Sequence, residues 1–118
     1  MPISDRRKWK VNRSPDEILK IVTDKLAQKK AKIIEATSRW IVATMGSELK
    51  TRLIGGLLVS KDTLPVKIIL IMQEVAGETE VDATIEDNMG FGLRTGMEGR
   101  YREHIQSLFD ELAETLQG

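Results

Sequence analysis

Polar and apolar residues alternate at the start of the chain. Trp9 and Val11 fall on one side of residues 7–12, and Lys8 and Lys10 fall on the other side. A two-residue period of this kind is typical of a half-buried β-strand. The pattern therefore predicts a first strand over residues 7–12.

A helical pattern follows directly. Ser14 can cap free backbone N–H groups, Pro15 suits the first helical position, and Glu17 completes a capping box. The apolar positions that follow recur at helical spacing and form one stripe, made of Ile18, Ile21, Val22 and Leu26. Lysines then gather where the C-terminal end of a helix favours cations. A helix over about residues 15–30 is predicted.

From residue 32 to residue 86 the chain is rich in Ile, Val, Thr and Leu and is interrupted by turn residues, which is typical of β-structure. Four strands are predicted, over residues 32–44 with a bend near Thr37, 49–59, 66–75 and 80–86. Short connections with Gly, Asp or Pro join them, so we expect an antiparallel meander. Gly55 and Gly56 fall within a strand and predict a bulge or bend there.

The last part of the chain has the clearest amphipathic pattern. Its apolar residues share one face of a helix, and they are Tyr101, Ile105, Leu108, Phe109, Leu112, Ala113 and Leu116. A helix with such a stripe must bury it against another element. We therefore expect a long C-terminal helix that packs on the sheet.

A glycine-rich loop precedes this helix. It is a candidate anion site, because its glycines expose backbone N–H groups ahead of a helix and arginines lie nearby; the candidates are Gly90, Gly92, Arg94, Gly96 and Arg100. The spacing matches neither the dinucleotide fingerprint nor a P-loop. The alternative is a flexible crossover in which Thr95 and Glu98 form a capping box.

The order strand, helix, four strands, helix resembles the topology of TATA-binding-protein-like folds and of helix-grip proteins of the Bet v 1/START type. The resemblance rests on element order and implies an α+β fold, with a curved antiparallel sheet packed against two helices. We expect one domain over residues 1–118, with residues 1–6 flexible. At 118 residues the chain would be a minimal version, with little room for a large lipid cavity.

Residue types exclude several kinds of chemistry. The chain has no cysteine, so disulfides, thiolate zinc sites, iron–sulfur clusters and a cysteine nucleophile are excluded. Its single histidine, His104, excludes a two-histidine metal site within one chain and is either a structural residue or a lone base or ligand. No nucleophile–base pair or metal set can be assembled, so an enzyme ranks last among the functions considered and no cofactor is expected.

Charge is distributed unevenly although the formal net charge is zero. Residues 1–32 carry a net charge of +6 and residues 76–118 a net charge of −7. If these ends lie apart, the dipole would steer a polyanion or a second copy; if they are adjacent, their charges neutralise each other. Basic residues also flank Trp9, namely Arg6, Arg7, Lys8, Lys10 and Arg13, which favours a nucleic-acid binder, but zero net charge and the lack of a known motif make nucleic acid unlikely.

The strand over residues 66–75 is apolar on both faces. Ile68, Leu70 and Met72 point one way, whereas Ile69 and Ile71 point the other way. If both helices cover the first face, the second face keeps an apolar patch that a soluble monomer rarely exposes, made of Ile54, Leu58, Ile69 and Ile71. This patch predicts a homodimer or protein-partner interface; the alternative is that curvature or a helix covers it.

Taken together, these patterns favour a non-enzymatic binding module. We expect a small apolar or amphipathic ligand, or a protein partner, in a groove between the sheet and the last helix. The residues expected to line this groove are Trp9, Trp40, Leu53, Leu57, Leu70, Tyr101, Ile105 and Phe109. The alternative is an anion or nucleic-acid binder that uses the basic N-terminal region and the glycine-rich loop. Neither a membrane span nor a secretion signal is expected, so a cytoplasmic location follows by default.

Overall fold

The computed structural model describes residues 3–46, 64–88 and 97–117 of the chain. These residues form five strands and two helices in the predicted order. The elements are β1 (Ser4–Val11), α1 (Pro15–Gln28), β2 (Lys32–Ala36), β3 (Trp40–Met45), β4 (Val66–Val75), β5 (Glu78–Asp87) and α2 (Glu98–Gln117). The predicted α+β class and element order are confirmed.

The strands form one antiparallel sheet in the order β1-β5-β4-β3-β2. On its inner face, Ile41, Leu70 and Ala83 are fully buried. These three side chains lie in one row across β3, β4 and β5. Both helices contact the sheet and each other, with α1 near β2 and β4, and α2 near β1 and β5. The core is therefore the layer between the inner face and the two helices.

The observed strands differ from the predicted strands over residues 32–45 and at the start of the chain. The strand expected over residues 32–44 is two antiparallel strands joined by a tight turn, in which Thr37 Oγ1 accepts hydrogen bonds from the backbone N–H groups of Arg39 and Trp40, both at 3.1 Å. The strand expected over 49–59, with Gly55 and Gly56, lies outside the described residues. β1 begins at Ser4, so part of the segment expected to be flexible is instead paired with β5.

Helix α1 begins as predicted and ends two residues earlier than predicted. The backbone N–H of Glu17 donates to Ser14 Oγ at 3.2 Å, which confirms the N-terminal cap. The helix ends at Gln28, and Lys30 adopts a left-handed conformation with φ of 61°. Ala31 N–H then bonds back to a carbonyl of the last turn at 2.9 Å. This is the common way in which a helix ends with a left-handed residue.

Helix α2 buries the stripe predicted for it. Tyr101 and Phe109 are fully buried, and the Tyr101 hydroxyl donates to the backbone carbonyl of Pro65 at 3.2 Å. At the other end of the helix, Arg13 Nε donates to the carbonyl of Leu116 at 3.1 Å. That contact satisfies a carbonyl that would otherwise lack a partner within the helix, and it places a cation at the negative end of the helix dipole.

Candidate functional site

The apolar core comes nearest to the surface between the two helices. We call this strip the helix seam and define it by Leu26, Met45, Ile68, Leu108 and Leu112, which line a cavity of about 10 Å³. Met45 is 7% exposed and Leu108 and Leu112 are each 4% exposed, whereas Tyr101 and Phe109 deeper in the core are 0% exposed. The cavity is at the lower limit of what one water molecule needs.

Charged side chains border the seam. Lys29 Nζ lies 2.6 Å from Glu111 Oε2, so an ion pair joins α1 to α2. This carboxylate oxygen is shielded from solvent, yet it accepts no hydrogen bond of normal geometry within the described parts of the chain. Lys25 stands one turn before Lys29 and also borders the cavity. The seam is thus an apolar strip with two ammonium groups and one carboxylate at its edge.

Four of the predicted groove residues come together in the core. Leu70 on β4 and Tyr101, Ile105 and Phe109 on α2 all belong to one cluster of buried side chains. Trp9 joins them at the edge, where its ring centroid lies 6.1 Å from that of Phe109. These side chains fill the space between sheet and helix. Leu53 and Leu57 lie outside the described residues.

Arg7 closes the same edge from the β1 side. Its guanidinium carbon lies 4.9 Å from the centroid of the Phe109 ring, and its Nη1 lies 3.3 Å from Asp110 Oδ1. A cation over an aromatic face and an ion pair to the same helix both hold α2 against β1. The edge between β1 and α2 is therefore closed by packing.

The expectation that Trp40 lines the groove is wrong. Trp40 is the register partner of Ile71, and the two side chains lie on the outer face of the sheet, opposite to the buried Ile41 and Leu70. Trp40 is 40% exposed and Ile71 is 53% exposed, while Ile41, the next residue along β3, is buried in the core. Alternation along the strand sends Trp40 and Ile41 to opposite faces, so only one of them can face the helices.

The outer face is divided into a charged half and an apolar half. On β1 and β5, Arg6 pairs with Asp82 and Lys8 pairs with Glu80, the second pair at 3.7 Å. On β3 and β4, the outer face instead carries exposed apolar side chains, with Trp40 and Ile71 the most prominent. Of the predicted interface residues, Ile71 is exposed, Ile69 is half-buried, and Ile54 and Leu58 lie outside the described residues.

The basic N-terminal region and the acidic C-terminal region are neighbours in the fold. Because β1 pairs with β5, Arg6 and Lys8 lie beside acidic side chains, and Arg7 reaches Asp110 on α2. The hydrogen bond from Arg6 lowers the pKa of the Asp82 carboxyl below its ordinary value. Of the two charge arrangements that the sequence left open, the structure has the one in which opposite charges neutralise each other.

The remaining candidates do not assemble into a site. Arg100 lies in the first turn of α2, whereas Gly90, Gly92, Arg94 and Gly96 lie outside the described residues. His104 is buried on α2, at 2% exposure.

Within residues 3–46, 64–88 and 97–117, no group of three acidic or histidine side chains is placed to hold a metal ion. No helix in those ranges is long and apolar enough to cross a membrane.

Sequence patterns did not point to the residues at the edge of the seam. The sequence pattern gives Lys25 and Lys29 only a place at the end of α1 that favours cations, and it does not single out Glu111. A usable signal was present, because Lys29 lies three residues after the buried Leu26 and four after Lys25, and Glu111 lies three residues after the buried Leu108. That signal becomes specific only when the packing of α1 against α2 is known.

Comparison with known proteins gives the class of fold. No family model matches the chain, and no curated protein matches it either. Among solved structures, the crystal structure of Ara h 8.0201, a Bet v 1-family allergen, superposes with a TM-score of 0.50. The match covers 98% of each chain at 8% sequence identity. The chain therefore has a Bet v 1-like helix-grip fold, and at this identity the likeness extends to the fold alone.

Proposed function

We propose that the protein is a non-enzymatic binding module that holds a small apolar or amphipathic ligand between the sheet and α2, in the cytoplasm. The observation that carries the proposal is the helix seam, where buried leucine and methionine side chains reach the surface between two helices. Proteins with a Bet v 1-like fold often bind hydrophobic ligands. The seam is the approach, from the side of α1, to the space between the sheet and α2.

Binding at the seam requires the two helices to move apart. Ligand pockets usually have volumes of about 300–1,000 Å³, whereas the seam encloses about 10 Å³. An apolar ligand would replace the contacts that Leu108, Leu112 and Met45 lose on opening, at about 25 cal/mol for each Å² of apolar surface removed from water. Met45 is well suited to this change, because its flexible unbranched side chain repacks readily.

A fluorescence titration with the neutral apolar dye N-phenyl-1-naphthylamine tests the proposal. We expect saturable binding of one dye per chain, weakened about fivefold or more by Leu112→Phe, because the larger ring fills the seam. Ile71→Ser, on the outer face, is the matched control and should bind as the wild type does. Thermal unfolding of each variant checks that it remains folded. Dye binding that survives Leu112→Phe but is lost in Ile71→Ser would place the site on the outer face and contradict the proposal.

A second candidate function is self-association or partner binding through the outer face. The exposed cross-strand pair of Trp40 and Ile71 favours it, because large apolar side chains side by side on a sheet gain from being covered. Sedimentation velocity at increasing protein concentration should show a dimer that Ile71→Lys returns to monomer, with Lys67→Ala on the same face as control. A wild-type protein that stays monomeric at every concentration would exclude the homodimer.

The anion or nucleic-acid alternative has less support. The basic side chains of β1 that favoured it are paired with acidic neighbours, as in the contacts of Arg6 with Asp82 and of Lys8 with Glu80. A phosphate backbone would have to compete with these carboxylates for the same cations. We therefore rank this function below the two binding proposals above.

A further inference from the structure

We propose that the ligand of the helix seam carries a single anionic headgroup, and that Lys25 and Lys29 bind this headgroup at the position now taken by the Glu111 carboxylate. The inference rests on the proposed function and goes further by naming the chemical class of the ligand: an amphipathic molecule with one carboxylate or similar anion and an apolar chain. Glu111 then acts as a built-in competitor for the headgroup.

The contact between Lys29 and Glu111 shows that the edge of the seam can hold a carboxylate. Glu111 Oε2 lies 2.6 Å from Lys29 Nζ and is shielded from solvent. A carboxylate oxygen in such a place is normally stabilised by aligned hydrogen bonds, and none of normal geometry reaches it from the described residues. The Glu111 side chain is 37% exposed, so its carboxylate can turn out toward water, and we expect an exogenous anion that contacts both lysines to replace it opposite Lys29.

Lys25 supplies a second cation at the edge of the seam. It lies four residues before Lys29 on α1, which brings the two side chains to the same face of the helix, and both border the cavity. Among the described residues no carboxylate pairs with the Lys25 ammonium, whereas Lys20 on the opposite side of α1 pairs with Asp24 at 3.6 Å. Two like charges at this spacing repel each other, and an anion bound between them removes that repulsion.

The apolar part of the ligand is placed by the same cavity. Among the residues that the structure describes, its lining beyond the charged edge consists of the five residues of the helix seam. A headgroup on Lys25 and Lys29 would therefore direct an attached alkyl chain inward, toward Ile68 on the floor of the seam. Charge at the surface and apolar side chains below it match the two ends of an amphipathic molecule.

Displacement of the neutral dye by two probes of equal chain length tests the inference. Dodecanoate carries the anion and dodecan-1-ol does not, and both are used below their aggregation concentrations. We expect the wild type to prefer dodecanoate by about fivefold, a preference that Lys25→Met removes. Glu111→Gln should tighten dodecanoate binding by about fivefold and change dodecan-1-ol binding much less, because it releases Lys29 without changing the size of the side chain. Lys20→Met, elsewhere on α1, is the matched control and should keep the wild-type preference.

The outcomes separate the inference from the proposed function. If both probes displace the dye but neither Lys25→Met nor Glu111→Gln changes the preference for the anion, the headgroup assignment is wrong and the apolar site stands. If the dye and both probes fail to bind the wild type and Glu111→Gln alike, the proposed function itself is overturned, and the headgroup assignment with it.

Discussion

Lys30 illustrates how a single residue ends a helix at an energetic cost. Its φ of 61° lies in the left-handed region that glycine adopts without strain, and its neighbours use this geometry to bond back to the last turn of α1. The left-handed conformation costs a side-chain-bearing residue about 1–2 kcal/mol. Lys30 directly follows Lys29, the seam lysine that pairs with Glu111.

Replacing Lys30 by glycine should stabilise the protein. We expect Lys30→Gly to raise the free energy of unfolding by about 0.5–1 kcal/mol. Glycine relieves the strain of the left-handed conformation, but its greater freedom in the unfolded chain offsets part of that gain. Urea unfolding measures the change. Lys30→Ala is the control, since it removes the same amine and keeps the strain; an equal gain in both variants would show that charge, and not conformation, sets the effect.

At the scale of elements, the sequence predicted the helices better than the β-region. The cap residue Ser14 specifies the start of α1, and the spacing of apolar residues from Tyr101 to Leu116 specifies α2. Each signal lies within or next to its own helix, so the sequence alone reveals it. The sequence predicts only a bend at the place of the turn between β2 and β3, because Thr37, Ser38 and Arg39 include neither Gly nor Pro. Thr37 makes the turn by accepting two backbone N–H groups through its hydroxyl.

The face assignment of Trp40 failed for a related reason. Both faces of β3 carry apolar side chains, since Trp40 and Val42 alternate with Ile41 and Ala43. Alternation alone cannot then say which set faces the helices, and ring size favoured Trp40 as a groove residue. The register with β4 decides the matter, because Ile41 pairs with the buried Leu70 and Trp40 with the exposed Ile71.

At the scale of the whole molecule, sheet order decides the role of the charges. Net charges of opposite sign at the two ends of the chain suggested a dipole, but pairing of β1 with β5 brings the ends together, and contacts such as Lys8 with Glu80 neutralise them. Sequence could not provide this, because it depends on which strands are neighbours. The same arrangement places α1 beside α2 and so creates the helix seam, a feature that belongs to neither helix alone.

The central claim is that the apolar core admits a ligand between α1 and α2, and mapping of amide chemical shifts during titration with N-phenyl-1-naphthylamine tests it most directly. The account predicts that the largest shifts fall on residues 25–29, on Met45 and on residues 108–112. Shifts confined to the outer face around Trp40 and Ile71, with the seam unchanged, would contradict it.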